Sequence, residues 1–252
     1  MIIGIEKIKN RLIKCKLIKY LRRRNNATGM FGDVLEINKT YDRLVKYVDF
    51  KDKNILELGP GQSYQLAEKL KCNGAKTVDM MDIDRYFTDD FIISKGMHFK
   101  KYDGRGFPFP DHSFDMVYSN NVYEHLRFEE ITVSETFRVL KPGGISIHQI
   151  DLRDHFCFDE NNRLVFNMMK YTKETWWSMT SNRVSFVNRL RISDWIVLHE
   201  KNGFTVSILE KMGSRIIGDL YHAKSLKIDY LHALSYEDAT TTQILLKATK
   251  NG

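Results

Sequence analysis

Asn54-Ile55-Leu56-Glu57-Leu58-Gly59-Pro60-Gly61-Gln62-Ser63 opens the stretch that decides the fold of this chain, and Thr77-Val78-Asp79-Met80-Met81-Asp82-Ile83-Asp84 closes it. Ile55 to Leu58 reads as a short buried strand. Gly59-Pro60-Gly61 reads as a sharp turn, where two residues without Cβ let a ligand come close to the backbone. Leu66, Ala67 and Leu70 then follow helical spacing until Asn73-Gly74 stops the helix, and Thr77 to Ile83 is a second strand ending in acids. The three pieces make a βαβ unit.

Such a unit suits a nucleoside, because an acid at the end of the second strand can accept hydrogen bonds from both ribose hydroxyls, and Asp82 stands there. A nicotinamide dinucleotide would call for Gly-x-Gly-x-x-Gly, but Tyr64 occupies the third glycine position and nothing cradles a pyrophosphate. Glu57, two residues before the first glycine, suits a positively charged ligand better than a phosphate.

With these residues in place, Glu57-x-Gly59-x-Gly61 followed by Asp82 resembles the class I S-adenosylmethionine-dependent methyltransferases, with Ser63 at a position where that family often has a third alternate glycine. Three later stretches match in order: Asp103-Gly104 ahead of Phe107-Pro108-Phe109-Pro110-Asp111, then Ser113 to Asn120, then Arg138-Val139-Leu140-Lys141-Pro142-Gly143-Gly144. The resemblance spans residues 40 to 150. It implies an α/β fold, a Rossmann-like seven-stranded mostly parallel sheet with helices on both faces, and S-adenosylmethionine as cofactor with S-adenosylhomocysteine as product. Cofactor-binding residues carried over from it are Glu57, Gly59, Pro60, Gly61, Gln62, Asp82, Ile83, Asp103, Gly104 and Asn120. Asp103 would accept from the adenine amino group and the Gly104 backbone would read the ring edge.

At 252 residues, 42% hydrophobic and 28% charged, the chain is of a size for one domain with insertions. Its three cysteines, Cys15, Cys72 and Cys157, lack Cys-x-x-Cys spacing, which predicts free thiols in a reducing compartment and no zinc framework. No apolar run reaches membrane-spanning length and the N-terminus lacks a signal-peptide core, so a cytoplasmic location is expected. The net charge of +7 is concentrated at one end. Residues 1 to 24 hold nine Lys or Arg against Glu6 alone, leaving the remainder close to neutral.

Residues 1 to 33 read as a basic amphipathic helix and linker, with Ile5, Ile8, Leu12 and Cys15 on one face. Packing on the domain or on a second subunit of a homodimer is the first reading, and attraction to an anionic inner membrane face the second. Basic residues confined to one end argue against a continuous nucleic-acid surface. Residues 34 to 252 form the methyltransferase domain, whose remaining strands are expected at 97–102, 115–119, 145–150, 204–209 and 242–248. A helix is expected over 122–140, stopped by Pro142-Gly143-Gly144, and another over 192–202. Insertions at about 152–190, rich in aromatics, and 211–240 would form a helical, aromatic cap over the acceptor.

Methyl transfer from a sulfonium is an in-line displacement that needs alignment and exclusion of water. A hydroxyl acceptor also wants a base, whereas a phosphate-type oxygen wants cationic positioning groups. His148-Gln149-Ile150-Asp151-Leu152-Arg153-Asp154-His155 offers both. Strand alternation puts His148 and Asp151 on opposite faces, so His155 with Asp151 or Asp154 makes the better pair, and His155, His148 and Asp151 are the catalytic candidates. His125 and Tyr171 are expected to line the acceptor pocket, and Arg189 or Arg191 to bind an anion or form a solvated basic turn. No paired-acid series or His-Glu-x-x-His argues for a metal.

A narrower resemblance, carried by the His148 to His155 segment and Asn188-Arg189-Leu190-Arg191, is to methyltransferases of bacterial capsule and lipopolysaccharide biosynthesis. It implies as acceptor a sugar hydroxyl, or a phosphate or phosphoramidate oxygen, of a saccharide precursor often carried on a nucleotide. The high Lys, Ile and Asn content suits an AT-rich genome. An RNA methyltransferase is the enzymatic alternative, against which stands Ser119-Asn120-Asn121-Val122 in place of an Asn-Pro-Pro-Tyr-like tetrapeptide. A non-catalytic cofactor-binding scaffold is the other.

Overall fold

The computed structural model of the chain describes residues 34–86, 88–156, 166–183, 186–222 and 233–252. The expected basic helix over 1–33, with Cys15, and parts of both expected cap insertions, with Cys157, lie outside the described residues. The elements are α1 (Val34–Val45), β1 (Asn54–Leu58), α2 (Gln65–Cys72), β2 (Thr77–Asp82), α3 (Asp89–Ser94), β3 (His98–Lys101), β4 (Phe114–Asn120) and α4 (Glu129–Val139). They continue with β5 (Leu140–Asp151), α5 (Lys173–Thr180), α6 (Ile192–Lys201), β6 (Phe204–Gly213), α7 (Arg215–His222), α8 (Tyr236–Thr240) and β7 (Thr241–Lys250).

Seven strands form one sheet in the order β3-β2-β1-β4-β5-β7-β6. All pairs are parallel except those of β7, which runs antiparallel to β5 and β6. The order reverses between β1 and β4. Ligands in open α/β sheets collect in the crevice at such a point, outside the carboxyl ends of the strands.

Strand parity divides the core into two layers. Ile55, Val78, Met80, Phe99, Met116, Tyr118 and Ile147 pack against Leu44 of α1, Leu66, Ala67 and Leu70 of α2 and Ile92 of α3. On the opposite face Leu56, Leu58, Met81, Val117, Ile150, Ile244 and Leu246 pack against Val133 of α4 and Ile192 and Trp195 of α6. A third cluster, with Phe166, Met168, Met169, Trp176, Met179 and Phe186, is built from cap residues and joins α5 to Ile217 of α7.

Two expected boundaries move. The helix expected over 122–140 is split, with a short 3-10 turn at Tyr123–His125 and α4 beginning at Glu129. Pro142-Gly143-Gly144 falls inside β5, within the register shift against β4 between Phe114 and Met116, and α4 stops at Val139. Arg138 fixes the Phe-Pro-Phe-Pro loop by donating to the Phe107 and Phe109 carbonyls at 3.0 and 2.8 Å, while Glu135 and Asp111 hold its guanidinium.

Candidate functional site

The turn after β1 is built as its sequence requires. Gly59 and Gly61 have φ of +71° and +61°, and a Cβ on Gly59 would stand 2.6 Å from a Val122 methyl. Ser63 is not among the positive-φ residues, so a side chain is accommodated where a third glycine might have stood. Its backbone N–H donates to the Pro60 carbonyl at 3.2 Å. Gln62 is half-buried beside it.

Glu57 lies just below this turn, 6% exposed, and its Oε2 has no hydrogen-bond partner. Burial, and after it the charge of Asp82, push its carboxyl up to about 8. Both oxygens of Asp82 are used, accepting from Gly61 N–H at 3.0 Å and Asp84 N–H at 3.2 Å, and each retains a lone pair for a hydroxyl. Burial raises the Asp82 carboxyl against the pull of these N–H groups. Next to it Ile83 is exposed and forms an apolar wall 3.7 Å from where a Gly104 Cβ would stand, Gly104 itself having φ of +86°. Asp103 is exposed at the same edge and accepts from Arg105 N–H at 2.9 Å, and Asn120 is exposed at the end of β4. An unpartnered buried acid, an acid with free lone pairs and an exposed apolar wall fit a cationic nucleoside such as S-adenosylmethionine.

A second group of polar side chains collects where β4 and β5 end. His155 Nε2 is 3.5 Å from Asp151 Oδ2, and the His155 ring meets His125 edge to face at 5.0 Å. Burial pushes Asp151 up, but Arg153, His155 and the Arg153 backbone together hold its carboxyl well below the usual range. Arg153 grips Asp151 with Nε at 2.9 Å and Nη2 at 2.6 Å. His125 Nδ1 is 2.6 Å from the Phe186 carbonyl, and burial lowers the ring to about 4, so it is neutral there. Glu124, absent from the residues the sequence points to, is buried in the same group with no side-chain partner for its carboxyl among the described residues, and burial raises it well above its ordinary value against the pull of its own and the Asp151 backbone N–H groups. Its place directly after β4, between Tyr123 and His125, was the only signal in the sequence.

The other candidates stand elsewhere. His148 is fully buried, stacked on Tyr123 at 3.8 Å, with Nδ1 2.8 Å from Ser119 Oγ. It lies in the layer between β5 and α6, which corrects its reading as a base, because no acceptor can approach the ring there. Arg189, at φ of +72°, is buried and donates to the Tyr171 and Thr172 carbonyls at 2.7 and 3.3 Å. Arg191 is buried with its guanidinium on the carbonyls of Asp238, Leu152 and Thr241. Both guanidiniums are held by main-chain carbonyls, in place of the expected anion or solvent. Tyr171 is half-buried and stacks on Trp176 at 6.0 Å. Among the described residues no group of three or more metal-ligating side chains is present.

Residues 56–148 match the family model described as a methyltransferase domain, and the sheet that carries them has the class I S-adenosylmethionine-dependent methyltransferase fold. The sterol 24-C-methyltransferase of Yarrowia lipolytica is 30% identical over 121 residues, 43% of this chain and 30% of that one. The chain thus spans less than a third of the length of such relatives. The YcgJ protein of Bacillus subtilis superposes with a TM-score of 0.56 at 16% identity, covering 85% of this chain and 99% of that one. Phosphoethanolamine N-methyltransferase 2 of Haemonchus contortus, in complex with S-adenosylmethionine, gives 0.57 at 15% identity over 85% of this chain and 53% of that one. At such identities the two structures share the fold. The domain match is to a methyltransferase family, and the nematode protein that shares this fold holds S-adenosylmethionine. None of these three names a polysaccharide.

Proposed function

We propose that the chain is an S-adenosylmethionine-dependent methyltransferase that methylates a hydroxyl oxygen of a saccharide precursor of a cell-surface polymer. The observation that carries the choice of a hydroxyl is the His155–Asp151 pair at the carboxyl end of β5, beside the crevice between β1 and β4. A hydroxyl is a poor nucleophile at neutral pH and needs a neighbouring base, and Asp151 is placed to orient the His155 ring and to stabilise its charge once it holds a proton. The phosphoryl alternative is weaker. Arg189 and Arg191 are bound to main-chain carbonyls and Arg153 is already matched by Asp151, so among these described arginines no cation is left over for an anionic acceptor.

Glu57, Asp82, Ile83, Asp103 and Gly104 would hold the cofactor, which supplies an activated methyl group when bound. The glycine turn lets it sit against the backbone, and the cap residues around Phe186 exclude water from the acceptor side. His155 receives the acceptor proton as the oxygen–carbon bond forms. The sterol relatives carry the name of a carbon methylation, in which a base acts only after the methyl group has moved, on the cation that results, whereas a hydroxyl acceptor needs its base as the oxygen–carbon bond forms, the role in which His155 is read here.

The test is a methyl-transfer screen on the purified chain against nucleotide-linked sugars, phosphorylated sugars and a sterol, after calorimetry has established cofactor binding. Transfer to a sugar hydroxyl that is lost in His155→Ala, with cofactor affinity intact, is the expected result. Transfer to the sterol alone, or undiminished turnover in His155→Ala, overturns the reading.

A further inference from the structure

We infer that Asn121 is a specificity-determining residue of the acceptor site: its side-chain amide is locked with Nδ2 outward, as a hydrogen-bond donor to an oxygen of the saccharide beside the one that is methylated. The inference rests on the reading of the acceptor as a saccharide.

The orientation of that amide follows from a chain of side chains whose far end allows one polarity. Arg43 of α1 is anchored by Glu210 of β6, with Nε 3.4 Å from Glu210 Oε2, and the Tyr47 hydroxyl donates to Glu210 Oε1 at 3.0 Å. A guanidinium can only donate. The atom of Gln149 that meets Arg43 Nη1 is therefore its oxygen, and the nitrogen of the same amide faces the other way. Gln149 Nε2 donates in turn to Asn121 Oδ1 at 3.2 Å. With its oxygen committed inward, Asn121 presents Nδ2, which has no partner among the described residues.

The backbone aims the group. Asn121 N–H donates to the Gln149 carbonyl at 2.9 Å, and its φ of +53° lies in the left-handed region, which asparagine enters more readily than most side chains. Asn121 is exposed directly after β4, on the segment that links the two halves of the site. The next residue, Val122, lies against the glycine turn, where a Gly59 Cβ would meet it at 2.6 Å, and His125 of the same segment meets the His155 ring at 5.0 Å. Gln149 shares a face of β5 with Asp151. A molecule bound between the turn and the His155–Asp151 pair thus lies along Asn121. A saccharide carries oxygens on neighbouring carbons, so one hydroxyl can lose its proton to His155 while the next accepts from Nδ2. An amide free to flip would take a donor or an acceptor alike, whereas the locked one selects an ether or hydroxyl oxygen and rejects an ammonium group.

The experiment has two parts, both on the full-length chain. Side-chain amide NMR, with signals assigned by their loss in Asn121→Asp and Gln149→Glu, should show one Gln149 Nε2 proton protected from solvent exchange and both Asn121 Nδ2 protons unprotected. Arg43→Met should erase the difference. A protected Asn121 Nδ2, or a difference that survives Arg43→Met, overturns the locked orientation. Methyl transfer is then measured on UDP-glucose, UDP-galactose and GDP-mannose, and on deoxy forms of whichever is methylated. Asn121→Asp keeps the inward oxygen but makes the outward group an acceptor, and Asn121→Gly tolerates the same φ without a side chain. Each should lower kcat/KM by about three- to tenfold, with calorimetric affinity for S-adenosylmethionine unchanged. One deoxy sugar should be used equally by the unmodified chain and Asn121→Gly. Undiminished kcat/KM in both variants overturns this inference and leaves the saccharide reading standing. Transfer to none of the sugars overturns that reading, and this inference with it.

Discussion

Replacing Glu57 with Gln tests the cofactor site through protons. The Glu57 carboxyl is pushed up to about 8, so at pH 7 roughly nine-tenths of ligand-free molecules carry it protonated. A cation bound against it requires the ionised form, and association at pH 7 should therefore release about 0.9 proton per site, at a cost of about 1.4 kcal/mol. Affinity should rise with pH, by at most about tenfold per unit, and level off above pH 8. The assay is titration calorimetry with S-adenosylmethionine at pH 7 in phosphate and in Tris, whose ionisation enthalpies differ, so that the difference in apparent heat counts the protons. Glu57→Gln keeps the shape, removes the charge, should release no proton and should bind roughly ten- to a hundredfold more weakly above pH 8, the range for a lost charged hydrogen bond. Identical heats in the two buffers for the unmodified chain, or the same proton count in Glu57→Gln, would refute the placing of the ligand's positive charge beside this carboxyl.

Asp82→Ala should weaken cofactor binding by about 1–3 kcal/mol through loss of acceptors for the ribose hydroxyls, and unchanged calorimetric affinity would remove that assignment. Gly59→Ala forces a Cβ to 2.6 Å from Val122 at a φ of +71°, and should lower stability by about 2–4 kcal/mol in urea unfolding; a loss under ~0.5 kcal/mol would contradict the close packing. Stability should peak at about pH 6. His125 and His199 are held near 4 and His148 well below its ordinary value, so the folded chain binds fewer protons than the unfolded one below pH 6.5 and loses stability as pH falls. Glu57 and Glu124 are raised, so the folded chain binds more protons above pH 4.5 and loses stability as pH climbs toward 8, and with three imidazoles against two carboxyls the acid limb wins only below about pH 6. A melting temperature that keeps rising through pH 8 would show that the two glutamates are ionised in the folded chain.

What could be read in advance followed from local rules. The βαβ unit is written in consecutive residues, because a buried strand, a glycine turn and a helix stop each leave a signature within a few positions, and Gly59, Gly61 and Asp82 stand where those signatures put them. The alternation of β5 likewise separates His148 from Asp151, which leaves His155 to meet Asp151 after the strand ends. The arginines of Asn188-Arg189-Leu190-Arg191 were illegible for the opposite reason. Arg191 is enclosed by carbonyls from Leu152, Asp238 and Thr241, up to 50 positions away in the chain, and a side chain expected on an anion or in solvent becomes a staple only once those distant segments meet around it. His148 shows the same limit, since its burial depends on α6, whose Trp195 and His199 complete the stack begun by Tyr123.

The sheet edge thus holds two buried glutamates, and their surroundings divide them. Glu57 sits under a glycine turn with Asp82 as its charged neighbour, so the missing partner must be a cation brought from outside the chain. Glu124 sits beside the Asp151–Arg153 ion pair that the chain itself provides, and burial keeps its carboxyl raised there. The first arrangement responds to ligand binding, and the second is complete within the chain. Saturating cofactor should therefore lower the Glu57 midpoint while leaving that of Glu124 unchanged, because the positive charge of the ligand falls beside the first acid alone. A cofactor complex in which both carboxyls ionise together would mean that the two ends of the site form one electrostatic unit, and the separate assignment of the acids would fail.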